Sequence, residues 1–169
     1  LTHIYAIGYM RGAKEKNHSR FFFFFSVSIA SVMGISFSGN LFTLFLFYEL
    51  LTLITFPLVS HKGSNEALRG ARVYLSILLG TSIGLQLLGI IWIYFSVGTL
   101  DFVKGGILNG SFGSLELTLL VALFAFGIGK AALFPFHRWL PAAMVAPTPV
   151  SALLHAVAVV KAGVFTVLK

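Results

Sequence analysis

The chain has 169 residues, 57% hydrophobic and 10% charged, with a mean hydropathy of +0.94, a balance that leaves too little polar surface for a water-soluble domain of this length. The class is all-α, a polytopic helical membrane protein with room for roughly five spans of about 20 apolar residues and short loops, and a large polar domain is excluded. A formal charge of +7 does not make nucleic acid a partner, because Arg11, Lys14, Lys16 and Arg20 fall in one short loop and Lys62, Arg69 and Arg72 in another, the pattern of basic loops held in the cytoplasm.

The first ten residues read as a membrane-interface segment rather than a signal peptide. Leu1 is not a start methionine and the last apolar stretch stops at Lys169 with no polar tail, so a fragment of a longer chain is expected. Residues 1–20 are assigned to the end of a preceding helix and a basic loop.

The first span is expected from Phe21 to Phe37. Its five opening phenylalanines beside Arg20 read as a lipid-facing anchor near a membrane boundary, and the spacing of Ala30, Gly34 and Ser38 allows close helix contact. Gly39-Asn40 makes a turn, and the second span runs from Leu41 to Ser60, with Pro57 near its exit and Glu49 near its middle. A carboxylate at that depth pairs with a cation, is protonated, or lines water, since on an isolated helix it costs about 2.5–3.5 kcal/mol.

The third span is expected from Ala71 to Val97, with Gly80, Gly84 and Gly89 suggesting tight packing along one side, Arg72 placed to snorkel, and Gln86 as a buried polar group that glues helices. Residues 98–114 form a Gly-rich, nearly neutral loop on the side opposite the basic ones. The fourth span starts near Leu115. Pro135 cannot donate a backbone hydrogen bond and disfavours helix at Phe134, so an interruption is expected just after Lys130; irregular backbone at that depth survives only when buried in protein or lining water. The alternative is an intact span to Phe134 followed by an interfacial His137-Arg138-Trp139 belt. The last helix runs from Pro149 to Leu168, with Thr148 as its cap and Pro149 in its first turn.

Lys130, His155 and Lys161 sit inside apolar stretches, where an ionisable group is costly enough that function is its default explanation. They point to proton or cation movement. A lysine ammonium is a strongly hydrated point charge that a nearby carboxylate stabilises, so Glu49 approaching and leaving Lys130 would let it bind and release a proton. The two ring nitrogens of His155 can relay protons, and the same ring can equally be a packing group. Six residues of helix correspond to about 600° and a rise of about 9 Å, so His155 and Lys161 occupy different faces and depths. His137 is a further candidate for the path or for the interface. With no cysteine, thiolate-held iron–sulfur clusters and disulfides are excluded, and no carboxylate–histidine cluster has metal-site spacing, so no cofactor and no redox or hydrolytic centre is expected here.

The run Gly127-Ile128-Gly129-Lys130 through His137-Arg138-Trp139-Leu140-Pro141, then Ala146-Pro147-Thr148-Pro149-Val150-Ser151-Ala152 to His155 and Lys161-Ala162-Gly163, closely resembles the antiporter-like subunits shared by Mrp-type multisubunit cation/proton antiporters, membrane-bound hydrogenases and respiratory complex I. Tyr48-Glu49-Leu50 resembles the family's intramembrane glutamate segment. The resemblance implies a fold of two inverted five-helix repeats, with residues 21–169 as most or all of the first. It implies Glu49 and Lys130 as the coupling ion pair and His155 and Lys161 as the continuing path, and it favours the Mrp-type branch. Expected partners are other membrane subunits, the lipid bilayer, protons and, as a further candidate, sodium; the expected location is the prokaryotic cytoplasmic membrane, with loops 11–20 and 61–72 on the cytoplasmic side. The rival readings are a proton-pumping subunit of a complex I-type NADH:quinone oxidoreductase or membrane-bound hydrogenase, and a non-transporting scaffold.

Overall fold

The computed structural model describes residues 2–13, 17–108, 110 and 112–169. Its elements, in order, are α1 (Thr2–Gly12), α2 (His18–Ser36), α3 (Leu41–Val59), α4 (Asn65–Val97), α5 (Ser114–Gly127), a chain of short turns, and α6 (Thr148–Leu168). Helices α2, α3, α4 and α6 are each long and apolar enough to cross a membrane, and α5 is a shorter apolar helix. With no strand among the described residues, the all-α, polytopic class stands.

Helix α3 starts at Leu41 because Asn40 is extended and its side chain accepts the Thr43 N–H at 2.7 Å, which satisfies a donor that the first turn leaves free. The same corner is pinned by residues 100–102: Leu41 N–H donates to the Leu100 carbonyl at 2.9 Å and Phe102 N–H to the Gly39 carbonyl at 3.1 Å.

Helix α4 starts earlier than the apolar run. Ser64 accepts the Ala67 N–H at 3.1 Å and Glu66 stands in the first turn, so the helix begins at Asn65 rather than Ala71 and carries Arg69 and Arg72, which were expected in a loop. Similarly Arg11 lies in the last turn of α1 and Arg20 near the start of α2. Lys14 and Lys16 lie outside the described residues.

The five phenylalanines do not form one lipid-facing patch. Phe21 and Phe25, four residues apart and so on one helix face, are fully buried and stack at 5.6 Å, while Phe23 is exposed. The glycines divide in the same way. Gly34 lies against the Phe47 ring and Gly89 against Phe124, whereas a side chain at Gly80 or Gly84 would meet nothing within 4 Å; the expected stripe of close contact reduces to Gly89.

Two π-helical stretches distort the long helices: Ser82–Gln86 within α4, and Leu153–Val157 within α6, where Ala158 N–H reaches back to the Leu153 carbonyl at 2.7 Å. Helix α6 has Pro147 at its N-cap position, and Thr148 does not cap: its hydroxyl donates to the Tyr9 hydroxyl at 3.3 Å.

The fourth span is broken, and the break precedes Lys130. Helix α5 ends at Gly127; Gly129–Ala131 forms a single 3₁₀ turn, and Ala132 follows in the left-handed region at φ 56°. An uninterrupted span to Phe134 is therefore ruled out. Pro135 disfavours helix at Phe134, and where α5 stops the chain lies in close contact with α4. A side chain on Gly127 would run into the backbone of Gln86, and one on Gly129 into the Thr81 hydroxyl. These glycines seat the chain directly against α4.

Candidate functional site

Lys130 is fully buried, at 0% exposure, in the turn after α5. Its ammonium donates to the Tyr48 carbonyl oxygen at 2.8 Å and to the Thr52 hydroxyl, and sits 3.2 Å from the centroid of the Tyr48 ring. Thr52 in turn donates to the Tyr48 carbonyl at 3.2 Å, so its oxygen is free to accept from lysine. The Lys130 backbone N–H donates to the Tyr48 hydroxyl at 3.1 Å. One turn of α3 thus holds both the backbone and the charge of Lys130, using hydrogen bonds to an ionised group, which are stronger than neutral ones, and the face of an aromatic ring.

A second layer holds the turn in place. The Trp139 indole N–H donates to the Gly129 carbonyl at 2.9 Å, Trp139 packs edge-on to Tyr74 at 5.6 Å, and the Tyr74 and Thr55 hydroxyls are hydrogen-bonded at 2.6 Å. Trp139 is fully buried, so it belongs to this support and not to an interfacial belt. From the other side comes α6, where the absence of a side chain at Gly163 lets the helix lie against the peptide joining Lys130 to Ala131.

Glu49 follows Tyr48 on α3 and lies within electrostatic reach of Lys130 and close to the Ser82 hydroxyl. The expected ion pair is not formed as a contact: both carboxylate oxygens are buried without a hydrogen-bond partner among the described residues, because the ammonium is turned to the Tyr48 carbonyl and Thr52. Ser82 spends its proton on the Leu78 carbonyl at 2.7 Å, and that leaves only its lone pairs for a neighbour.

The other candidates are dispersed. His155 is half-buried in the π-helical stretch of α6, with Nε2 buried and unpartnered among the described residues. Lys161 is exposed on the outside of the same helix, and His137 is exposed in the turn after the break, stacked on Phe134 at 5.8 Å. The structure therefore brings Lys130 and Glu49 together and leaves Lys161 and His137 at the surface. Tyr48, Thr52, Trp139 and Gly163 belong to the site although none was a candidate site residue; Tyr48, Trp139 and Gly163 lie within the motif runs quoted above. The four-residue spacing of Tyr48 and Thr52 around Glu49 was the available signal. An apolar cavity of about 380 Å³, lined by Ile93, Phe102, Leu120, Phe124 and Lys169 among others, takes in none of these groups.

Known proteins share the sequence and fold of this chain. The family model described as NADH:quinone oxidoreductase/Mrp antiporter, TM, matches residues 38–169. NAD(P)H-quinone oxidoreductase chain 5 of Synechocystis sp. is 35% identical over 179 residues, covering 99% of this chain and 25% of that protein. The A/B subunit of the probable K(+)/H(+) antiporter of Rhizobium meliloti is 41% identical over 174 residues, covering 100% of this chain and 17% of that protein. A chain in the solved structure of the membrane-bound sulfane sulfur reductase, an archaeal respiratory membrane complex, superposes with a TM-score of 0.76 at 28% identity, covering 85% of this chain and 30% of that one. The chain thus spans a quarter or less of these two curated relatives.

Proposed function

This chain belongs to the NADH:quinone oxidoreductase/Mrp antiporter family of membrane proteins, and from that premise we propose that it carries one proton- or cation-translocating unit of a larger membrane subunit, with Lys130 as the proton carrier and Glu49 as its modulator. The observation that carries the reading is the docking of a fully buried ammonium on Tyr48 and Thr52, next to an unpartnered carboxylate on the same helix. Burying a lone lysine charge is costly, and so is burying an orphaned carboxylate; a packing role would be served by apolar residues at both positions. In the account proposed, the ammonium moves between the Tyr48–Thr52 cradle and Glu49. At one position its charge is held by neutral acceptors, at the other by a full counter-charge, so its hold on the third proton changes with position.

His155 and Lys161 continue the path in this proposal, and the exposed Lys161 serves a partner surface. The assembly is of the Mrp cation/proton antiporter type; the 41% identity to a protein of a probable antiporter supports this branch. The respiratory sulfane sulfur reductase chain supports the second reading, a redox-driven complex. Protons, and sodium as a further candidate, are the proposed cargo, and the basic segments 11–20 and 61–72 are assigned to the cytoplasmic side of a prokaryotic membrane.

The test is the paired apolar substitution Glu49→Leu with Lys130→Met in the full-length protein, assayed by ion-coupled proton flux in sealed vesicles. Transport is expected to fall to the background of empty vesicles while the protein still assembles. A scaffold with buried charges tolerates such a replacement, so undiminished flux contradicts the proposal.

A further inference from the structure

Three polar residues interrupt the apolar face that α4 turns to its neighbours: Thr81, Ser82 and Gln86, all buried. Thr81 and Ser82 satisfy themselves on their own helix, donating to the Ile77 carbonyl at 2.9 Å and the Leu78 carbonyl at 2.7 Å. Gln86 does not. At 0% exposure, its carboxamide nitrogen and oxygen both lack a hydrogen-bond partner among the described residues. Buried polar groups in folded proteins are satisfied, commonly by internal water when protein groups are out of reach, and leucine at this position would remove the cost altogether.

The surroundings place Gln86 beside the end of α5. Ser82 and Gln86 open and close the π-helical stretch of α4, four residues apart on one side of the helix. Gly127, the last residue of α5, lies against the Gln86 backbone and Cβ, so Gln86 leaves its helix beside the break that presents Lys130. At the other end of the stretch, the Ser82 hydroxyl lies close to Glu49, and both oxygens of that carboxylate are likewise buried and unpartnered.

We infer that the seam between the π-helical stretch of α4 and the break after α5 is a water-binding site, in which ordered water bridges the Gln86 carboxamide to Glu49 past the Ser82 hydroxyl. A carboxamide offers a donor and an acceptor together, which suits a water molecule making about three hydrogen bonds. A metal cation would have no use for the amide N–H groups. Ser82, its proton spent on Leu78, contributes an acceptor, so the water that donates to Ser82 and to Glu49 is oriented by both. The inference rests on the reading of Glu49 as part of a proton path, and makes Gln86 a positioning residue for the water that reaches it.

The test uses the full-length protein in its native complex, with a cryo-electron microscopy map at a resolution that resolves water and a transport assay in sealed vesicles. Solvent density is expected within hydrogen-bond distance of the Gln86 carboxamide. Gln86→Met, which keeps the length and removes the polar groups, is expected to slow transport by about tenfold, the scale of one net hydrogen bond lost, while Gln86→Asn retains most of the rate. A map with the carboxamide bonded only to protein overturns the inference. So does a Gln86→Met variant with an unchanged rate and a raised thermal midpoint, the outcome of removing a merely orphaned amide. If Lys130→Ala abolishes transport and Gln86→Met leaves the rate unchanged, the water path fails and the proposed function stands; if Lys130→Ala leaves transport unchanged, the proposed function fails, and solvent density at the Gln86 carboxamide decides the site.

Discussion

Replacing Lys130 by alanine in the full-length protein is expected to lower ion-coupled proton flux by about 10²-fold or more, the scale on which a positioned proton-transfer group contributes. The cause lies in the site itself: the ammonium held by the Tyr48 carbonyl, the Thr52 hydroxyl and the Tyr48 ring is the group that the break in the fourth span delivers to α3. Alanine also leaves a cavity, so Lys130→Met, which keeps most of the side-chain volume, separates loss of the charge from loss of packing. Lys130→Arg gives the sharper contrast. A guanidinium preserves the positive charge but cannot deprotonate in a protein, so the arginine variant is expected to be as inactive as the alanine variant. If Lys130 were only a structural cation, arginine would restore flux. The measurement is the initial rate of pH change in sealed vesicles, normalised to the amount of assembled protein.

Gly163→Val is expected to abolish transport by a different route. The backbone of α6 at Gly163 lies against the carbonyl carbon of Lys130 and the nitrogen and α-carbon of Ala131. Those are backbone atoms of a tight 3₁₀ turn, anchored on one side by Trp139 to Gly129 and on the other by Lys130 to Tyr48, and they cannot rotate away as a flexible side chain could. Forcing extra carbons into such a contact costs about 1–3 kcal/mol or more. The turn or the helix must shift, and the ammonium leaves its cradle in either case. A lowered thermal midpoint should accompany the lost flux, with Gly163→Ala intermediate. Gly84→Ala is the control: its position faces open space, and its flux should match the unaltered protein. Equal effects from Gly163 and Gly84 substitutions would contradict the packing argument.

Much of the fold was legible because membrane spans announce themselves. Apolar runs long enough to cross hydrocarbon marked four of the helices, and the Gly39-Asn40 turn marked the start of α3, which the Asn40 side chain caps. The break in the fourth span was legible in kind from Pro135, but its position was not. Proline acts on its own neighbourhood, whereas the helix stops at Gly127, where the chain lies against Gln86 on another helix, and nothing local to Gly127 names that partner. The same limit applies to the two π-helical stretches, whose sequences carry no proline, and to the phenylalanine run, where the helical period divides one block between core and exterior. At the site, the cost of intramembrane charge singled out Lys130 and Glu49, which lie within electrostatic reach of each other without forming a contact. It did not reveal that the ammonium prefers a backbone carbonyl and a hydroxyl over the carboxylate beside them, because that choice depends on the register between the turn and α3, set by the Tyr48 hydroxyl accepting from the Lys130 backbone.

The central claim is that one lysine is shared between two docking positions, the Tyr48–Thr52 cradle and Glu49. A double-mutant cycle on the initial transport rate tests it most directly, using Thr52→Val, Glu49→Gln and the two combined. Thr52→Val removes a hydrogen bond to a charged group worth about 1.5–3 kcal/mol, and Glu49→Gln removes the counter-charge. Because both act through Lys130, the combined variant is predicted to be no slower than the slower single variant. Effects that simply multiply, as they do for independent sites, would contradict the account.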